Sequence, residues 1–569
     1  LCYLLMNAVA SRSVSGSFQL PLTEASPLTR RLVLRALEAG ECLSAFKKSL
    51  HSIFAFRKFE LNSKWSVFMN LNNIITGSPV TSGELRAARD RRVLKKWELL
   101  TPGGEICLVE FSLNIAGTVK TFPFARAAFR EEVRELSDRL SRFSVLKTEV
   151  YEKNTGDCAF FLLKSQAIQV KKFLVSVEES HPLGRLFNLD VCGPDGISVK
   201  RHDLGLLPRT CLVCGEDAHV CAQKKSHSME LIQWQTAKLF HEFFRDRAAD
   251  QAASAAVRGL LYEVSTTPKP GLVDRNNSGS HKDMDFFTFL DSSASLIPWF
   301  REFFCLGWDH SSESDRQLFE RLRYAGQRAE AAMFSATGGI NTHKGLVFAS
   351  AILCGALGKV HAGQELPPPL EDVLQECRKL GECSLADLHR LPNVQTPLPG
   401  SEVQHISGHT PDKMQSDPQS ASAPDVRTHF VSLSTNGERI FTAYGIQGAR
   451  GEAAAGFPSA VQIGLPSLKK WLFSGFSLND AAAMALLTLI SEVDDTNMVH
   501  RGGPELAKKS KEQAKRLLST VTKENFKETL NSLDHQYITD NLSPGGCADL
   551  LAVSLMFYFL ESAGMIADI

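Results

Sequence analysis

The chain has 569 residues, too many for one hydrophobic core, so two or three domains are expected. Lys+Arg 63 against Asp+Glu 63 gives a formal net charge of zero, which argues against a general polyanion binder such as a nucleic-acid protein and favours a small ligand. The longest apolar runs, around 346–357 and 550–560, are shorter than a membrane span and bounded by Lys, Asp or Glu, so they read as buried core helices and no membrane partner is expected. The first ten residues, LCYLLMNAVA, lack a basic region and a convincing apolar export segment. With an odd 13 cysteines, this points to a reducing cytoplasm, with thiols in cores or on metal. Leu1 in place of Met suggests a reading frame that is incomplete or unusually started.

Residues 1–77 concentrate no catalytic groups; 26–48 could form an amphipathic helix, and the segment is an appendage without an assigned role. Thr81 and Ser82 cap a helix with Glu84 in its first turn and a basic face, solvated on the plain reading and phosphate-facing on the other. Alternating apolar segments at 106–115, 144–151, 158–163 and 170–177 predict strands, with a helix over 125–143, which makes 78–230 an α+β domain. A further strand over 186–191 delivers Asp190 at its end, and Pro194-Asp195-Gly196 turns into a short second strand. An aspartate on an apolar strand needs a cation or donors, so Asp190 is a metal or phosphate ligand unless turn amides satisfy it. Cys211, Cys214, Cys221 and His227 give C-x2-C-x6-C-x5-H, which suits a closed tetrahedral zinc site better than a redox pair; free thiols or coincidence remain the alternatives.

Residues 228–260 read as one or two helices, with 231–257 as a helical connector whose AADQAASAAV run is a seam between halves. Beyond it strand signals almost vanish. Helical patterns at 286–304, 315–334, 344–357, 370–380, 479–494, 505–520 and 548–562 predict an all-α domain over 258–569. The Pro-, Ser-, Gln- and His-rich segment 391–425 is expected to be a mobile insertion within it.

Five stretches of this half gather ionisable groups. EVSTTPKPGLVDRNNSGSHKDMD (263–285) carries Lys269, Asp274, His281, Lys282 and Asp283 on backbone that cannot be a regular helix, either an active-site wall or a polar surface loop. In TGGINTHKG (337–345), Asn341 or Thr342 caps a helix, His343 follows, and Lys344 lies in the first turn, an arrangement suited to phosphate. GARGEAAAGFP (448–458) supplies Arg450 and Glu452. EVDDTN (492–497) ends a helix on Asp494 and Asp495, adjacent carboxylates for which Mg²⁺ is the natural partner. In LSPGGCADLLA (542–552), Ser543 caps, Pro544 takes the first helical position, and Asp549 lies near the positive end of the last helix. Arg501, Arg450 and Lys269 could face phosphates, and Glu452 and Asp274 are acid/base candidates.

Together these five motifs, in this order, resemble the triphosphoribosyl-dephospho-CoA synthase family over roughly 255–569. The words HPLGR, DV, LPR and CLVC resemble the holo-citrate-lyase synthases, the apo-citrate lyase phosphoribosyl-dephospho-CoA transferases, over about 81–227. The resemblance implies two steps. First, the 2′-hydroxyl of 3′-dephospho-CoA attacks the ribose anomeric carbon of ATP, releasing adenine and keeping the triphosphate. Then a serine of the apo-citrate lyase acyl carrier protein attacks the triphosphate and expels pyrophosphate. It further implies that Gly184, Arg185, Asp190 and Arg209 lie in the transferase site. For the synthase, the candidate catalytic set is Asp274, Asp283, Glu452, Asp494 and Asp495, with Mg²⁺ accompanying ATP. The candidate binding set is Lys269, His281, Lys282, Asn341, His343, Lys344, Arg450, Arg501, Ser543 and Asp549. Two other readings are an ADP-ribosyl or nucleoside glycohydrolase and a non-catalytic carrier-protein scaffold. Intact Lys269, Asp283, Lys344, Glu452, Asp494 and Asp549 speak against decay of the sites.

Overall fold

Thr81 opens helix α1 (Ser82–Leu99) with a reciprocal capping box: its hydroxyl accepts the Glu84 N–H at 3.3 Å and its own N–H donates to the Glu84 carboxylate at 2.8 Å. The computed structural model describes residues 74–100, 105–362, 367–388, 439, 441 and 443–567. The helix expected at 26–48 and the insertion expected at 391–425 lie outside the described residues. Arg86, Arg89 and Arg91 of α1 are exposed, as a solvated face requires. Arg92 and Lys96 instead turn back onto the buried Glu110, at 3.4 and 2.5 Å.

Four antiparallel strands follow, β1 (Cys107–Leu113), β2 (Val145–Tyr151), β3 (Cys158–Leu163) and β4 (Phe187–Cys192), in the spatial order β2-β3-β1-β4. One face of this sheet meets the end of α1 through Leu99, Leu100, Leu108, Phe160 and Cys192. The other carries α2 (Pro123–Leu140), where Phe111 stacks on Phe129 at 5.5 Å between ring centres. The strand expected over 170–177 is instead part of helix α3 (Ala167–Ser180): buried Val170, Leu174 and Val177 recur at i, i+4 and i+7, a helical stripe disguised by valine-rich composition. After β4 the expected second strand reduces to a single bridge, Cys192 to Ser198. A short helix α4 (Ala218–Lys224), absent from the sequence reading, precedes the connector.

That connector is the middle of one helix, α5 (Met229–Ser265), 37 residues capped by Ser228 and so about 55 Å long. Its first half packs on the sheet domain, with Phe240 edge-on to Phe122 at 5.2 Å, Phe244 against Phe124 at 4.9 Å and Arg247 paired with Glu131. Its second half buries Ala249, Ala252, Ala253, Ala255, Ala256 and Gly259, small residues that let neighbouring helices approach. Trp308 Nε1 donates to His241 Nε2 at 2.8 Å near the middle, and burial lowers that imidazole to about 4.

Every remaining named element is helical: α6 (Phe286–Asp309), α7 (Asp315–Ala336), α8 (Lys344–His361), α9 (Leu370–Leu388), α10 (Gly448–Ala454), α11 (Leu465–Phe473), α12 (Leu478–Glu492), α13 (Thr496–Thr520), α14 (Phe526–Thr539) and α15 (Gly545–Ser562). Among the described residues the amino-terminal half is mixed and the carboxyl-terminal half helical, which fits the expected fold class. Helices α10, α11 and α14 were not expected, and α13 is two segments joined across Gly503 at φ 77°. Helices α8 and α15 are long and apolar enough to cross a membrane, but 67% of each is buried inside the fold, as core helices must be. Helices α6 and α8 touch backbone to backbone: a methyl on Gly307 would overlap the Gly355 carbonyl, and one on Gly358 would overlap that of Phe304. Gly358→Ala should therefore destabilise the chain by about 1–3 kcal/mol, read as a lower urea midpoint at unchanged m-value.

Candidate active site

All five motifs of the helical half meet at one cavity of about 1430 Å³. Its wall between α5 and α6 is the loop 266–285, folded around Asp274, whose carboxylate accepts the N–H groups of Lys269 (3.1 Å), Asn276 (2.6 Å) and Asn277 (3.1 Å). Asp274 is buried behind the wall and does not line the cavity, which removes it from the acid/base candidates. Asp534 of α14 clamps the same loop through the Gly271 N–H at 2.8 Å and Asn277 Nδ2 at 2.9 Å. Lys269 is 2% exposed and ion-paired with Glu263 on α5, a lining carboxylate missing from the expected set.

Further along the loop, His281 bridges two elements. Arg501 Nη2 donates to its Nδ1 at 3.2 Å, so Nε2 carries the proton and donates to Ser543 Oγ at 2.9 Å. Burial and the Arg501 charge lower its pKa and keep it neutral. Ser543 is thus not the cap of α15: Pro544 takes that position and Gly545 opens the helix. Lys282 and Asp283 are exposed at the cavity wall.

The two adjacent aspartates part company. Helix α12 stops at Glu492; Asp494 lines the cavity as an exposed group, its side chain 72% exposed and 2.8 Å from Lys511. Asp495 is the buried N-cap of α13, not the end of a helix: Oδ1 accepts from Asn497 and Met498 at 2.8 and 3.1 Å, and Oδ2 from Cys547 in α15 at 2.7 Å. Three backbone amides meet the charge that the sequence reading gave to a cation, so the argument for a shared Mg²⁺ at Asp494 and Asp495 does not carry over.

His343, rather than Asn341 or Thr342, takes the N-cap position of α8, without a side-chain cap. Asn341 Oδ1 still accepts the Lys344 N–H at 3.3 Å, and Lys344 Nζ lies 3.3 Å from Glu330. The Thr342 hydroxyl donates to Ser292 Oγ at 2.7 Å, and Ser292 lies 2.7 Å from His343 Nδ1. With its hydroxyl proton given to Nδ1, this chain leaves the proton of the buried imidazole on Nε2, which has no protein partner. Burial and Lys269 lower His343 to about 3, so it is neutral.

Glu452 accepts the Ser459 hydroxyl at 2.5 Å and its N–H at 3.1 Å, and burial raises its pKa despite both bonds. Arg450 lines the cavity beside it. Asp549 faces the start of α8 so closely that a methyl on Gly345 would strike its carboxylate. Burial, with the neighbouring Glu263 and Asp495, pushes the Asp549 carboxyl well above its ordinary value. The N-termini of α8, α13 and α15 all open on this space, a concentration of positive dipole ends suited to phosphate.

In the sheet domain Asp190 lies opposite Glu110 in the strand register and takes a hydrogen bond from Asn188 at 3.2 Å. β4 is an edge strand whose outward carbonyls are met by cations: Arg209 donates to Phe187 O and Lys171 to Leu189 O, each at 2.6 Å. Arg209 also pairs with Glu178, which Arg201 reaches at 3.4 Å, and Arg185 is half-buried beside this group, its pKa lowered by burial and by Arg209. A methyl on Gly184 would overlap the Glu178 carbonyl. Arg185, Asp190 and Arg209 are therefore neighbours along one sheet edge, joined by Lys171 and Glu178, which motif spacing did not single out.

Because Asp495 staples α13 to α15, Asp495→Ala should lower stability by about 1–3 kcal/mol as its amides lose their acceptor, so a loss of activity in this variant would be accompanied by a lower unfolding midpoint.

Residues 249–566 match the family described as CitG, ATP:dephospho-CoA triphosphoribosyl transferase, and residues 80–243 match CitX, apo-citrate lyase phosphoribosyl-dephospho-CoA transferase. The chain is 33% identical over 460 residues to Protein CitXG of Leuconostoc mesenteroides subsp. cremoris, covering 79% of this chain and 90% of the relative. Protein CitXG of Haemophilus influenzae is 32% identical over 489 residues, 84% of this chain and 96% of the relative. The probable 2-(5''-triphosphoribosyl)-3'-dephosphocoenzyme-A synthase of Streptococcus mutans serotype c is 39% identical over 308 residues, 54% and 95% of the two chains. With both family matches in one order and two such relatives covered almost end to end, the chain belongs to the CitXG family, in which a citrate lyase phosphoribosyl-dephospho-CoA transferase precedes a triphosphoribosyl-dephospho-CoA synthase.

Proposed function

We propose that the helical cavity joins ATP to 3′-dephospho-CoA and that the edge of the sheet domain then passes the product to a serine of the citrate lyase acyl carrier protein. The observation that carries the first half is the meeting of three helix N-termini, Lys269, Arg450 and Arg501 with raised-pKa carboxyls in one cavity of about 1430 Å³. That volume exceeds the roughly 300–1,000 Å³ of a single-ligand pocket, as two nucleotides require.

In the first step the C1′–N9 bond of ATP breaks and a bond forms from C1′ to the 2′-oxygen of dephospho-CoA. Glu452 takes the proton of that hydroxyl. Asp549, whose raised pKa keeps it protonated, gives a proton to the departing adenine, and His343 Nε2–H donates to a ring nitrogen of the base. The two carboxyls thus divide base and acid roles by environment. The triphosphate is held by Lys344 and Arg501 at the positive dipole ends of α8, α13 and α15. Among the described residues, the single grouping of three or more His, Cys, Asp or Glu ligand atoms close enough for one ion is cysteine-rich and lies in the other half. The exposed Asp283 and Asp494 would hold Mg²⁺ brought with ATP, and the ion would neutralise triphosphate charge.

In the second step the carrier serine oxygen attacks the phosphorus nearest the ribose, and pyrophosphate leaves. Arg185 and Arg209 bind the phosphates, and Asp190 accepts the serine proton or holds the metal that accompanies the triphosphate.

Incubating the protein with ATP and dephospho-CoA should yield adenine and the triphosphoribosyl adduct by mass spectrometry; adenine release without dephospho-CoA would instead favour a glycohydrolase. Asp549→Asn should slow adduct formation by about 10²–10⁴-fold. Wild-type activity should fall at high pH as Asp549 loses its proton and at low pH as Glu452 gains one; the residual activity of Asp549→Asn should lack the alkaline limb. Since burial raises Asp549, its contribution to stability fades as pH climbs above the ordinary 3.8, and Asp549→Asn should be at least as stable as wild type at neutral pH. Arg209→Ala should cut carrier loading from supplied adduct while adenine release continues.

A further inference from the structure

Three thiols and an imidazole, Cys211, Cys214, Cys221 and His227, have ligand atoms all within 4.8 Å of one another. Cys214 Sγ lies 3.5 Å from Cys221 Sγ and 3.3 Å from His227 Nε2. A zinc tetrahedron with metal–sulfur bonds of about 2.3 Å has edges of about 3.8 Å, so these side chains already stand near coordination spacing. Core packing does not explain them. Cys221 is buried, as free cysteines usually are, but Cys214 is exposed and Cys211 and His227 are only half-buried. A disulfide does not explain them either, because it would use two sulfurs and leave the third thiol and His227 converging on nothing.

The backbone is shaped to the same end. Thr210 and Asp217 pair across a tight loop in which Gly215, at φ 79°, donates to Cys211 O at 3.2 Å, and the Val213 N–H points at Cys211 Sγ at 3.4 Å. Asp217 caps α4, which carries Cys221; Lys225 at φ 48° ends it and returns the chain to His227.

We propose that these four side chains bind one Zn²⁺ in a closed structural site that fastens the phosphate-binding Arg209 to the start of α5. Arg209 is two residues before Cys211, and its carbonyl accepts the Ala218 N–H at 2.9 Å, so the loop that holds two ligands also fixes the arginine backbone. His227 immediately precedes Ser228, the cap of α5. One ion would therefore tie the transferase edge to the first turn of the helix shared by both halves. Four protein ligands leave no open position for catalysis, and Arg185 lies where it offsets the net negative charge of a zinc ion with three thiolates.

The test uses the full-length chain purified without chelator. Elemental analysis should find about one equivalent of zinc, and cobalt substitution should give thiolate-to-metal charge-transfer absorption. Cys214→Ser and His227→Ala should lose the metal, while His227→Cys, which restores a fourth ligand, should keep it. The role given to Arg209 rests on the transferase assignment: loss of zinc should lower carrier loading about 10-fold or more, as losing support around a site does, with adenine release unchanged. Protein without bound metal, retention of full metal in Cys214→Ser, or a Cys214–Cys221 disulfide in the purified chain would overturn the site, whatever the activity. Metal loss with undiminished carrier loading would overturn the Arg209 linkage alone.

Discussion

The ion pair between Glu263 and Lys269 sets the terms for the synthase half. Both groups are buried, and Glu263 stays raised by burial even with Lys269 beside it. Taking two charges out of water costs several kcal/mol per ion, and removing one partner of such a pair typically costs about 3–5 kcal/mol. The pair joins the last turns of α5 to the motif loop, and the next residues of that loop are held by Asp274 and Asp534. A wall rich in Pro, Gly and Asn thereby has one conformation without secondary structure of its own.

Around that pair the cavity gathers carboxyls that water would ordinarily keep ionised. Glu452, Asp495 and Asp549 are all pushed up by burial, and what offsets their cost differs: a serine for Glu452, three backbone amides for Asp495, and, among the described residues, no hydrogen-bond donor for Asp549. The ordering decides chemistry. In the proposed mechanism the carboxylate held by amides is a structural staple, the one held by a serine serves as the base, and the one left to burial supplies the proton. The same helix starts that supply amides to Asp495 also open on the cavity, where their positive dipole ends face the proposed triphosphate site.

The two activities are mounted on one helix. Aromatic residues of its first half grip the sheet domain, and alanines of its second half are sunk in the helical domain, so a cut within 249–256 would open a buried stripe rather than sever a linker. Fusion keeps the product of the cavity near the edge that consumes it, raising its effective concentration for as long as it does not escape. The cysteine cluster sits where this helix begins, which is why a structural ion there would bear on the transferase edge.

By itself the sequence determined the order of chemistry, the mixed and then helical character, the Thr81 cap, the location of most helices and the membership of Lys269, His281, Lys344, Glu452 and Asp549 in one site. These are carried by local signals: periodicity, capping residues and short motifs whose spacing survives without knowledge of contacts. It misjudged 170–177, where valine content competes with a helical stripe, and it paired Asp494 with Asp495 because adjacency in the chain resembles adjacency in space. Only the tertiary structure separated those two aspartates, withdrew Asp274 behind the wall and moved Ser543 from a helix cap to His281. It also brought in Glu263, Ser292, Ser459 and Lys171, whose partners lie 6 to 51 residues away. Which donor meets a buried charge depends on elements far apart in the chain, and that information exists only once the helices have packed.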